Sequence, residues 1–148
     1  MASFFRSLKA DGTISQVQLD YLLTMNTAFK DALDSNILSN KLFLTSQDIE
    51  RNSSLSFSEK SLVWGASNIG MSSAPYWYTG FNNPNSPWGG GGNPPGMKWW
   101  VRALRDLAGF VVGAAAGGII SAANPAVMAA GGTLVGTAAS ASEAKSPA

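Results

Sequence analysis

KWWVRALRDLAGFVVGAAAGGII, residues 98–120, opens with two tryptophans among basic residues and then loses its charge. Gly109, Gly113 and Gly117 recur every four residues, as two overlapping GxxxG units along one helix stripe. Ala114, Gly118 and Ala122 form a second small-residue stripe beside them. A glycine has no side chain, so a facing helix backbone can come close there. Glycine also costs about 1 kcal/mol against alanine in a helix exposed to water. A helix carrying several of them needs tight packing or a low-dielectric surrounding in compensation.

Asn124-Pro125 interrupts this run, because proline has no amide to continue the helix. Beyond it Gly132, Gly136 and Ser140 mark another small-residue face. Two such faces across a short turn predict an antiparallel helical hairpin over 98–142, with a polar tail at 143–148. The run from Leu107 to Ser142 carries no charge and is longer than the roughly 20 residues one membrane-spanning helix needs. Lys98, Trp99, Trp100, Arg102 and Arg105 stand at one end, as a basic and aromatic membrane-interface anchor would. The leading expectation is therefore a glycine-zipper hairpin carrying a transmembrane helix. Gly, Ala, Ser and Thr gain little on leaving water, however. The same features also fit a Gly/Ala hairpin buried under the N-terminal helices with the tryptophans docked on them, or a disordered Ala/Gly tail.

Charges collect in residues 1–60, and none lies between Lys60 and Lys98. Residues 1–71 read as a helical region. Thr13-Ile14-Ser15-Gln16 fits an S/T-x-x-E/Q capping box, and Ile14, Val17, Tyr21, Met25, Ala28, Phe29, Ala32 and Leu33 keep helical spacing. This predicts a helix over 13–34 that stops at Asp34-Ser35-Asn36. Ile37–Leu44 fits a short helix or a strand, and Thr45-Ser46-Gln47-Asp48 reads as the cap of another short helix. Ser58-Glu59-Lys60 opens a further one that places Leu62, Val63, Ala66 and Ile69 inward and ends near Gly70.

Residues 72–97 predict an irregular, Gly/Pro-rich hinge. Pro75, Pro84, Pro87, Pro94 and Pro95 remove amide donors, and Gly89–Gly92 is linker chemistry. Tyr76, Trp77, Tyr78, Phe81 and Trp88 fall in the same segment. They suit either a loop pinning aromatics onto the helices or a surface for a membrane interface or a protein partner, with Tyr76, Trp77, Tyr78 and Trp88 as the contact residues.

The fold class expected is all-α. The chain has no histidine and no cysteine, which excludes His-based acid–base catalysis, cysteine nucleophiles, disulfides and the usual zinc sites. Ten basic residues face nine acidic ones, so no charge excess points to nucleic acid. The carboxylates are scattered among helix faces and caps, and no phosphate-binding loop occurs. The expectation is a non-enzymatic protein without cofactor or metal. The N-terminus lacks the apolar core of a secretory signal. A membrane-associated or secreted location is expected on the strength of the tail.

Ser73 to Ala141 resembles a type of small bacterial protein found mainly in the Bacteroidetes. The residues carrying it are Ala74-Pro75-Tyr76-Trp77-Tyr78, the basic tryptophan junction at 98–105, and Asp106-Leu107-Ala108-Gly109 opening the Gly/Ala run. The tail alone is similar to glycine-zipper segments of pore-forming bacteriocins. The first resemblance implies no activity. The second implies association with the lipid bilayer, homo-oligomerisation and, as an extension, toxin-like permeabilisation. The alternatives are a soluble structural or cargo protein whose hairpin packs in a larger assembly, or a module binding a protein partner through the aromatic segment.

Overall fold

The computed structural model describes residues 1–86 and 98–121, and these form helices with no strand among the described residues. The helices are α1 (Ala2–Ala10), α2 (Gln16–Asp31), α3 (Ser35–Arg51), α4 (Phe57–Asn82) and α5 (Trp99–Ser121). The all-α class holds. The second arm of the expected hairpin, with Gly132 and Gly136, lies outside the described residues, as do Gly89–Gly92 and Trp88.

Local chemistry sets each boundary. Phe4, Phe5 and Leu8 put the inner face of α1 on the core, with Phe5 fully buried. The helix ends in a Schellman motif. The amide of Thr13 donates to Leu8 O at 2.9 Å and that of Gly12 to Lys9 O at 3.0 Å. Gly12 takes φ of 75°, the left-handed region that a side chain disfavours. The capping box of α2 sits two residues beyond the expected one. Ser15 Oγ accepts from the Gln18 amide, and Gln18 Oε1 accepts from the Ser15 amide at 2.8 Å. Thr13 is instead held by the end of α1. α2 ends at Asp31 with Ala32 as its C-cap, and Asp34 caps the start of α3, its Oδ1 accepting from the Ile37 amide at 2.8 Å, so Ser35 and Asn36, read as a stop, open that helix.

The two short elements expected after Asn36 are one continuous helix. Thr45 and Ser46, read as caps, turn their hydroxyls back onto Lys41 O and Phe43 O inside α3. Leu38, Leu42 and Ile49 lie on the buried face across the expected break. In α4, Ser56 and Glu59 form the capping box, and the helix passes through Gly70 and Pro75 to Asn82. The irregular segment expected from residue 72 is therefore helical up to residue 82. A proline inside a helix costs about 3 kcal/mol in local terms. Burial of Ala74 and Trp77 on either side of Pro75 offsets that cost.

α4 is the shared wall of the bundle, packed along α5 on one flank and α3 on the other, while α2 touches α1, α3, α4 and α5. α5 is buried around most of its circumference. Ala103, Leu104, Leu107, Ala108, Phe110, Val111 and Ala114 are all in the core. A helix apolar on nearly every side suits a protein interior as well as a bilayer, and here the interior is protein.

Candidate functional site

The spanning helix expected in the tail is corrected by the structure. Among the described residues, no helix is long and apolar enough to cross a membrane. Arg102, Arg105 and Asp106 interrupt α5, and its described uncharged part, 107–121, is short of the roughly 20 residues a span requires. The residues expected at a membrane interface are distributed differently. Lys98 is exposed, Trp99 and Trp100 pack half-buried on the core, Arg105 is half-buried and Arg102 is fully buried.

Arg102 belongs to a polar cluster between α4 and α5. Trp77 Nε1 donates to Asp106 Oδ2 at 2.9 Å, and Ser73 Oγ donates to the same oxygen. The Arg102 guanidinium lies over the Trp77 ring, 5.6 Å from its centre. That distance is within the range of a cation–π contact, which gains strength when the cation is away from water. Phe81 meets the Trp77 ring edge-on at 6.1 Å, and Tyr78 meets Trp99 edge-on at 5.2 Å. Two of the aromatics expected to bind a partner, Trp77 and Tyr78, thus face inward or sideways and fasten α4 to α5. Tyr76 faces solvent at 61% exposure.

Of the zipper glycines, Gly109, Gly113 and Gly117 lie on α5, and Gly132 and Gly136 fall outside the described residues. Gly109 is buried and Gly113 half-buried. Close approach is required by two glycines of α4. A Cβ on Gly65 would fall against the Phe110 ring, with Cε1 only 2.7 Å away. A Cβ on Gly70 would meet Leu42 Cδ1 at 2.8 Å and Phe29 Cζ at 3.1 Å. Sequence reading passed over Gly65 and took Gly70 for a terminator. The usable signal was that each sits within a run of helix-spaced apolar residues.

A second polar group pins α2 to α3 near the surface. The Tyr21 hydroxyl donates to Asp48 Oδ2 at 2.7 Å and accepts from Asn52 Nδ2 at 2.9 Å. Burial, together with the Asp48 carboxylate, holds the phenol above its ordinary pKa, while the Asn52 bond acts in the opposite direction. At the start of α4, Glu59 lies below the usual carboxylate range. The Ser56 amide is the main cause, followed by the hydroxyls of Ser15 and Ser56. Gln18 Nε2 donates to Glu59 O at 3.1 Å, so the N-termini of α2 and α4 are tied together.

The outer face of α4 remains. Phe57 is 63% exposed and Trp64 42%, and with Tyr76 they put three large aromatics in solvent along one helix. Ser61, Asn68, Ser72, Pro75 and Thr79 separate them, all exposed or half-buried. No charged residue follows Lys60 in this helix. Isolated surface apolar residues are ordinary, but three exposed aromatics on the outer side of one helix that carries no charge after Lys60 have the composition of an interaction surface. No protein-family model, no curated protein and no solved structure matches the chain.

Proposed function

We propose that this protein is a non-enzymatic helical interaction module that makes protein contacts through the outer face of α4. The observation that carries this reading is the exposure of Phe57, Trp64 and Tyr76 on a helix whose outward side carries no charge beyond Lys60. Aromatic side chains offer large contact area at low conformational cost, which is why they concentrate in binding surfaces. Of the aromatics expected to meet a partner, Tyr76 is carried into this proposal. Trp64 and Phe57 join it, and Trp77 and Tyr78 leave it because they fasten the bundle. Self-association through small-residue faces of the tail, with Gly132 and Gly136 in a second hairpin arm, is compatible with the same role, since both are helix-to-helix contacts.

Photo-cross-linking in cells expressing the full chain tests this. A benzoylphenylalanine at position 64 or 76 should capture a protein adduct well above that captured from position 30, where exposed Lys30 serves as the control. Equal adduct yields at all three positions would reject the α4 face as an interaction surface.

A further inference from the structure

We draw no further inference here: the strongest candidate, the exposed apolar patch of Ile37, Phe43 and Leu44 on the outer side of α3, carries nothing because nothing in the structure shows what covers it.

Discussion

α4 meets its neighbours differently on its two flanks. Toward α5 it uses a glycine under an aromatic ring, Gly65 against Phe110, together with the polar cluster of Ser73, Trp77, Arg102 and Asp106. Toward α3 and α2 it uses Gly70 against the flexible end of Leu42 and the Phe29 ring, in aliphatic surroundings. Both flanks exclude water, but they specify position differently. Hydrogen bonds and a flat ring tolerate little displacement, whereas an aliphatic contact can be repacked. The α5 flank fixes register, and the α3 flank supplies adaptable burial.

The largest expected effect breaks the specific flank. Asp106→Ala removes the common acceptor of Trp77 Nε1 and Ser73 Oγ at the α4–α5 seam. Each buried donor that loses its acceptor costs about 1–3 kcal/mol. Chemical denaturation should show a loss of that order, with Trp77 fluorescence changed before the global transition. A loss below about 1 kcal/mol would mean that the cluster does not hold α5 in place.

The two glycines sharpen the comparison at a smaller scale. Gly65→Ala would force Phe110 out of its seat, and overpacking of this kind costs about 1–3 kcal/mol. Gly70→Ala meets the movable end of Leu42, and alanine recovers about 1 kcal/mol of helix propensity, so its net cost should be near zero. Thermal melts should rank Gly65→Ala well below Gly70→Ala. Phe110→Leu added to Gly65→Ala should return part of the loss. Equal effects at the two glycines would remove the distinction between the flanks.

The smallest effect lies at the start of α4, where both flanks begin. Glu59 has a depressed folded-state pKa, so its stabilising contribution is present above its ordinary value of 4.5 and is lost as pH falls through the lower folded value. Glu59→Gln can still accept from the Ser56 amide. It should therefore flatten the stability profile in that acidic window while changing neutral stability by a few tenths of a kcal/mol at most. Melts at pH 3 and pH 7 on both chains would measure this. An unchanged acid dependence in the variant would move the effect to another carboxylate.

Much of the local structure was legible from residue types. Helical spacing from Val17 to Phe29 and the inward placement of Leu62, Val63 and Ala66 follow from periodicity and side-chain chemistry acting within one or two turns. α1 was not read from the sequence, because so short a helix depends on the core that Phe4, Phe5 and Leu8 pack against. The join of two expected elements into α3 and the passage of α4 through Pro75 were not legible. In both places a local stop signal is overridden by apolar residues that reach a partner distant in sequence.

The candidate site divides in the same way. The sequence alone established a chain without histidine or cysteine, an uncharged stretch between Lys60 and Lys98, and an uncharged run beginning at Leu107. It could not assign the solvent of that run, because a helix apolar on most sides is equally suited to lipid and to the centre of a bundle. Nor could it sort Tyr76 from Trp77, which are neighbours in sequence and of similar chemistry. About 100° of helical rotation separates adjacent residues, which turns one outward and the other onto Asp106. Only the packing of α5 against α4 decided which aromatic fastens the bundle and which is left for a partner.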